Sequence, residues 1–367
     1  MAAKEISAVV VDDMKMEIQE FDIPKIGAED ALLKLEMTGV CGSDISLYAG
    51  RFKAMGVEFP LIMGHEILGH IAEIGAKAQE SYDVKVGDRV IVEAFIPCGH
   101  CTLCLTGNYR ICEKGMSYGA RIPCSRPPFL WGGYGQYMYI MPGSVVHKIP
   151  GYMAAEEVIL AASALGNGIR FVRELGEVSI GNTVVIQGAG QMGLVSSIAA
   201  RESGAAQIIM TGLTRDHERF ALGKEFGVTH TIDAEKEDVV ALVQELTNGR
   251  MADVVVDTSG APPAVALSIQ LARKLGTVVS VGLTGFQPIP NFVSDHIVVN
   301  ELRFQGGVSC DFRSVLPAIK LVESKRYPLH KMVTHRYPLR EAETGVRALA
   351  GEIEGEYPIK VVILPEE

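Results

Sequence analysis

Continuous apolar runs, rather than alternating ones, mark the middle of the chain. TVVIQ at 183–187, QIIMT at 207–211, DVVVD at 253–257 and TVVSV at 277–281 are apolar on both faces of an extended strand, which predicts parallel strands buried on both sides. Between them, 221–226 and 239–246 carry apolar residues at helical spacing. Strand and helix therefore alternate, the rhythm of a doubly wound α/β sheet. The first 150 residues read differently: short β-like runs at 7–11, 31–37 and 89–93 are separated by Gly and Pro turn signals, which predicts a mostly β, barrel-like region. A helical stretch at 156–174 follows. Beyond about 310 the pattern mixes again and ends on the strand-like IKVVIL at 359–364, most economically a return to the first domain.

Composition narrows the class. With 367 residues, 48% hydrophobic and 21% charged, the chain is core-forming rather than disordered, and at roughly 150 residues per domain it holds two or three domains. Lys and Arg number 34 against 44 Asp and Glu, a net charge of −10, which argues against nucleic-acid phosphates or anionic lipid as partners. No uncharged apolar run approaches the roughly 18 residues needed to span a bilayer, and MAAKEISAVVVDDM has no basic start followed by an apolar stretch. The expectation is a soluble, cytoplasmic protein with no membrane partner.

Four of the seven cysteines, Cys98, Cys101, Cys104 and Cys112, crowd together as C-x2-C-x2-C-x7-C, a pattern of metal binding rather than of a disulfide framework. Four thiolates at this spacing can close a tetrahedral zinc site of the structural type, with no open position. His100 and Cys124 are read as bystanders. A second candidate joins GVCGSD at 39–44 to GHE at 64–66. Cys41, His65 and a carboxylate or water could hold zinc with a position free for an oxygen ligand.

VVIQGAGQMG sets Gly188, Gly190 and Gly193 directly after a strand and at the start of a helix, with Gln191 and Met192 between the last two glycines. In that context the G-x-G-x-x-G pattern is a dinucleotide-binding turn: Gly188 permits the turn, Gly190 lets a pyrophosphate approach, and Gly193 allows close helix packing. The acid that usually meets the ribose hydroxyls at the end of the second strand is missing from IIMTGLTRDHERF. Thr214 stands there instead, with Arg215 and Arg219 nearby. An arginine at this place suits a 2′-phosphate, so NADP is favoured over NAD; the alternative is that both arginines are solvated helix residues.

Taken together, GVCGSD, GHE, GDRV at 87–90, the four-cysteine stretch, GAGQMG and IKVVIL resemble the zinc-containing medium-chain dehydrogenase/reductase superfamily, which includes alcohol, sorbitol and threonine dehydrogenases. The resemblance covers nearly the whole chain. It implies a GroES-like β-barrel catalytic domain at 1–155 with a four-cysteine zinc lobe at 95–115, a Rossmann dinucleotide-binding domain at 156–310, and a return of 311–367 to the catalytic domain. By resemblance, Cys41 and His65 are catalytic zinc ligands, Glu66 is the nearby acid that can also ligate, Asp44 orients the histidine, and Ser43 takes the proton of the substrate alcohol. Val281, Gly282 and Leu283 match the strand end beside the nicotinamide, and Lys360 a basic residue near the pyrophosphate. The implied assembly is a homodimer or homotetramer, with 277–310 at the interface.

Two positions depart from that pattern. Ser163, between Ala162 and Ala164, stands where the family presents a Cys or Glu zinc ligand, and a neutral serine is a poor ligand. Ser46 replaces the histidine that often passes the proton on. The reading is an NAD(P)-dependent oxidoreductase that interconverts a small alcohol and an aldehyde or ketone, zinc-assisted. The alternatives are a relative that keeps only the structural zinc, or a non-catalytic NADPH-binding sensor. Phe129, Trp131, Tyr48 and Phe52 either wall an apolar substrate pocket or pack between lobes.

Overall fold

The structure, a computed structural model, describes residues 4–366. It divides into two compact units: one runs to Ser163 and takes in 322–324 and the chain from Leu329 onward, and the other comprises 164–321 and 325–328.

In the second unit the four apolar runs become the middle of a six-stranded, all-parallel sheet. Its order is His230–Asp233, Gln207–Gly212, Thr183–Gln187, Ala252–Asp257, Ala272–Ser280 and Arg303–Gly306, so the strand order, not the strand direction, reverses beside Thr183–Gln187. That is the doubly wound order that opens a crevice for a dinucleotide at the strand ends. Val184, Val185 and Ile186 have no accessible surface, as expected of a strand covered by helices on both faces. The helix expected at 221–226 begins earlier, as His217–Glu225, because Asp216 accepts from the Leu213 N–H at 2.9 Å and starts the turn there. The strand expected at 277–281 begins at Ala272: a bulge containing Leu275, at φ +60°, delays regular pairing until Thr277.

The first unit is built on antiparallel pairing around Ala31–Val40. That strand pairs with Glu66–Ile74, with Tyr137–Ile140 and with the C-terminal strand Lys360–Leu364, which brings Val361 opposite Val40. Arg89–Val92 and Val146–Lys148 extend one side, and Val333–Pro338 closes the other in parallel with Lys360–Leu364. A smaller sheet orders Lys15–Asp22, Lys4–Asp12 and Leu61–Ile62. The helical stretch expected at 156–174 is not one regular α-helix. Ala155–Val158 leads into a π-helical turn at Ala161–Leu165, an α turn at Gly166–Ile169 and a second π segment at Arg170–Leu175. Ser163 therefore sits in a widened turn of the kind common at functional sites. Among the described residues, no helix is long and apolar enough to cross a membrane.

Candidate active site and metal centres

Among the described residues, two groups of ligand-type side chains converge in the first unit. Cys98, Cys101, Cys104 and Cys112 place their sulfurs within 4.8 Å of one another. Cys98 and Cys104 sulfurs are 3.8 Å apart, and those of Cys101 and Cys112 3.9 Å. A tetrahedral zinc with Zn–S bonds of about 2.3 Å needs sulfur–sulfur edges of about 3.8 Å. The four sulfurs fit that ion. The backbone prepares them: Cys101 N–H donates to Cys98 Sγ and Cys104 N–H to Cys101 Sγ, both at 3.4 Å. The Glu113 and Cys104 amides lower the Cys101 thiol pKa. Burial works against the Cys112 thiolate, but N–H donors from Cys98 and Lys114 outweigh it and bring Cys112 to about 6. His100 turns to the Cys98 carbonyl at 2.7 Å, and Cys124 is buried elsewhere, in an apolar cluster with Tyr134 and Leu61.

The second group is Cys41, His65 and Glu66, whose ligand atoms also lie within 4.8 Å of one another. Cys41 ends the strand Ala31–Val40 and precedes the short helix Gly42–Tyr48. Asp44, in the first turn, reaches back to accept from the Cys41 N–H at 2.9 Å, which fixes Cys41 at the helix start. His65 follows Gly64, at φ +87°, and Glu66 opens the strand Glu66–Ile74. The His65 ring is oriented from both ends: Nδ1 lies 3.2 Å from Asp44 Oδ1, and Nε2 lies 3.4 Å from Ser43 Oγ. The Nδ1–Oδ1 contact is close in distance but off line for a hydrogen bond, and both atoms are otherwise buried without a partner among the described residues.

Burial opposes a charged His65, yet Asp44 and Cys41 outweigh it and raise the imidazole well above its usual pKa. Thiolate, imidazole and carboxylate are zinc donors. Glu66 supplies the last donor with one oxygen. Its Oε2 pairs with Lys360 Nζ, while Oε1 is buried with no hydrogen-bond partner among the described residues. The donor set fits zinc, and the buried, unpartnered Oε1 is the oxygen left for it.

Lys360, which by resemblance is a basic residue near the pyrophosphate, has its ammonium engaged within the first unit. Its side chain has no accessible surface, and its ammonium bonds Glu66 and the Val40 carbonyl. Gly39 makes room for this pair, since a Cβ there would fall 2.1 Å from Glu66 Oε2 and 2.9 Å from Lys360 Cε. Sequence reasoning missed this pair; the available signal was a single lysine opening an otherwise apolar strand. Of the residues read as pocket walls or packing, Tyr48 and Trp131 take the packing role. Tyr48 is in the apolar core and bonds the Met14 carbonyl at 2.8 Å; Trp131 packs edge-on to Tyr139 and donates to the Arg126 carbonyl at 2.7 Å. Phe129 stacks on Phe21, and Phe52 packs on the Tyr48 cluster.

In the second unit Gly188, at φ +102°, ends the strand Thr183–Gln187, and Gly190 begins the helix Gln191–Glu202. A Cβ on Gly193 would lie 1.9 Å from the Gly188 carbonyl oxygen, so this position is closed to a side chain; one on Gly190 would meet nothing within 4 Å, leaving open space over the helix N-terminus. Gln191 and Met192 are half-buried in the first turn. Past the second strand, Thr214 N–H donates to Glu235 at 2.8 Å and its hydroxyl to Asp233 at 2.7 Å. Arg219 pairs with Asp216 at 2.9 Å, whereas Arg215 is exposed and has no ion pair among the described residues. Val281, Gly282 and Leu283 lie just past the strand Ala272–Ser280, with the Val281 and Gly282 N–H groups both directed to the Asp257 carbonyl.

Comparison with known proteins agrees with this geometry. The family profile described as alcohol dehydrogenase GroES-like domain matches residues 27–151, and that described as zinc-binding dehydrogenase matches 192–324. A probable alcohol dehydrogenase of Mycobacterium tuberculosis is 39% identical over 96% of both chains. The solved alcohol dehydrogenase of Thermotoga maritima superposes with a TM-score of 0.88, at 26% identity and full coverage of both chains. A putative zinc-binding dehydrogenase of Sinorhizobium meliloti, solved with NADP, superposes with a TM-score of 0.86 at 26% identity, covering 99% of this chain and 100% of its own. From the two profiles and the full-length relative, the chain belongs to the zinc-containing medium-chain dehydrogenase/reductase superfamily, with a GroES-like domain and a Rossmann domain.

Proposed function

We propose that this chain is a zinc-assisted, NAD(P)-dependent oxidoreductase that interconverts a small alcohol and its aldehyde or ketone. Family membership carries the class of reaction, the nicotinamide cofactor and the zinc. The observation that carries the site is the convergence of Cys41, His65 and Glu66 within 4.8 Å beside Ser43. Bound there, zinc would supply polarisation of the substrate oxygen, and the nicotinamide would supply the hydride acceptor or donor. Cys41, His65 and Glu66 hold the metal, and Asp44 keeps the imidazole turned with Nε2 towards it. Ser43 Oγ takes the alcohol proton and hands it on through water, since Ser46 offers no imidazole. The domain roles follow the same reading, with 1–155 and 311–367 catalytic and 156–310 holding the dinucleotide.

The cofactor is NADP in this reading. Arg215 is exposed, has no ion pair among the described residues and is available to a 2′-phosphate, while Asp216 is turned inward to cap its own turn and is unavailable to ribose hydroxyls. Asp233 and Glu235, engaged with Thr214, oppose a phosphate on that side and are the reason the preference rests on Arg215 alone. The assembly is a homodimer or homotetramer. Exposed Phe286, Val298 and Val299 near the open edge strand Arg303–Gly306 are the apolar surface such an assembly would cover. The location is cytoplasmic.

The test is NAD(P)H turnover on a panel of alcohols and aldehydes, run beside zinc analysis. Turnover with close to two zinc per chain, lost as chelator removes one, is the expected result. Ser163 favours a second reading in which only the four-cysteine zinc remains. Full activity with one zinc, untouched by Cys41→Ser, would establish it.

A further inference from the structure

One buried hydroxyl beside the second metal group, that of Tyr134, has a role beyond the apolar cluster in which its ring packs. Tyr134 has no accessible surface, and its phenol donates to Asp44 Oδ2 at 3.1 Å. The same oxygen accepts from the Cys41 N–H at 2.9 Å. Two donors on Oδ2 stop the carboxylate from rotating and present Oδ1 to His65 Nδ1, 3.2 Å away. The phenol stays a donor, because burial and then the Asp44 charge push its pKa well above the usual value. Tyr134 is itself held in register with His65. Its N–H bonds the Met63 carbonyl at 2.9 Å, the Gly133 N–H bonds the Gly64 carbonyl at 2.8 Å, and a Cβ on Gly64 would lie 2.5 Å from the Tyr134 ring. Ring and glycine are fitted so closely that the hydroxyl has one place to go.

Resting on the reading of Cys41, His65 and Glu66 as a zinc site, we propose that Tyr134 is a positioning residue for that metal. Through Asp44 it ties the backbone of one ligand, Cys41, to the carboxylate oxygen that stands 3.2 Å from the ring of another, His65, so that the ring stays turned with Nε2 towards the metal. Second-sphere partners of metal-bound histidines fix the ring's tautomer and orientation in this way, and their loss typically weakens metal binding ten- to a hundredfold. Nothing in the spacing of GVCGSD or GHE points to a residue so far along the chain, and only the folded barrel brings it to Asp44.

Tyr134→Phe keeps the ring and removes the hydroxyl. Titration of the full-length protein with Co2+, followed by thiolate-to-cobalt absorption, should show the second site weakened about tenfold while the four-cysteine site is unchanged. In the cobalt-loaded protein the exchangeable, paramagnetically shifted Nδ1–H resonance of His65 should move. Thr38→Val is the control for loosening alone: it removes the bond from Thr38 Oγ1 to the Gly133 carbonyl, 2.6 Å, from the same wall without touching Asp44. It should leave both readouts where they are. Equal weakening in the two variants, or an unchanged affinity and resonance in Tyr134→Phe, overturns the positioning role and leaves the zinc reading standing. Uptake of Co2+ by the unmodified protein at the four-cysteine site only would overturn both.

Discussion

Lys360 and Glu66 form a wholly buried ion pair. The ammonium also donates to the Val40 carbonyl at 3.0 Å, so the last strand of the chain anchors the carboxylate beside Cys41. Only one oxygen of Glu66 is thereby left to a metal. A carboxylate shared in this way is a weaker ligand than a free one, which is why this site should give up its metal to mild chelation before the four-cysteine site does.

Lys360→Met should therefore destabilise the first unit by about 3–5 kcal/mol, because it strands the Glu66 charge in a buried pocket. The double variant Lys360→Met with Glu66→Gln should recover much of that loss, since no unpaired charge remains. Urea unfolding of the three proteins measures both effects. An unchanged midpoint in Lys360→Met would show that the pair contributes nothing to the fold.

At the four-cysteine lobe, Cys101→Ser removes a thiolate and the acceptor of the Cys104 N–H. The lobe at 95–115 should loosen, with faster proteolysis there and loss of about one zinc per chain, and with the chemical step less affected than stability. Limited proteolysis beside metal analysis reads this. Loss of that zinc with melting point and assembly both intact would contradict a structural role.

Cofactor choice hangs on Arg215. Removing a charge-assisted contact of about 1.5–3 kcal/mol should raise the KM for NADPH ten- to a hundredfold in Arg215→Ala and leave NADH largely unaffected. Steady-state kinetics with both cofactors decide it, and equal changes in the two would return Arg215 to the status of a solvated surface residue.

A pH dependence of stability follows from Glu5. The residue is buried in the strand Lys4–Asp12, where burial raises its carboxyl from 4.5 to about 7 against the opposing bonds from Ser7, Tyr137 and Gln136. Between those two values the folded chain keeps a proton that the unfolded chain has released, so stability falls as pH rises through the window. At one pKa unit per about 1.4 kcal/mol the full effect is at most about 3 kcal/mol. Glu5→Gln should remove it. Denaturant midpoints of the two proteins at pH 5 and pH 8 should diverge, and parallel behaviour would assign Glu5 an ordinary carboxyl.

Much was legible in the sequence because the relevant constraints are local. A strand covered on both faces must be apolar throughout, so TVVIQ, QIIMT and DVVVD announce the parallel sheet; the turn that leaves Thr183–Gln187 at positive φ needs Gly188, and four cysteines within 15 residues are close together whatever the rest of the chain does. Tertiary structure decided what depends on residues distant in sequence. It took the pairing of Val361 with Val40 to set Lys360 beside Glu66, and the register of Gly133 and Tyr134 on Met63 and Gly64 to aim a phenol at Asp44. It also widened the helix at Ser163 into a π turn and turned Trp131 and Tyr48 into packing. Motif spacing records which groups a site contains. Which of their lone pairs and protons are already spoken for is set by burial and by partners from other strands, and these exist only once the chain has folded.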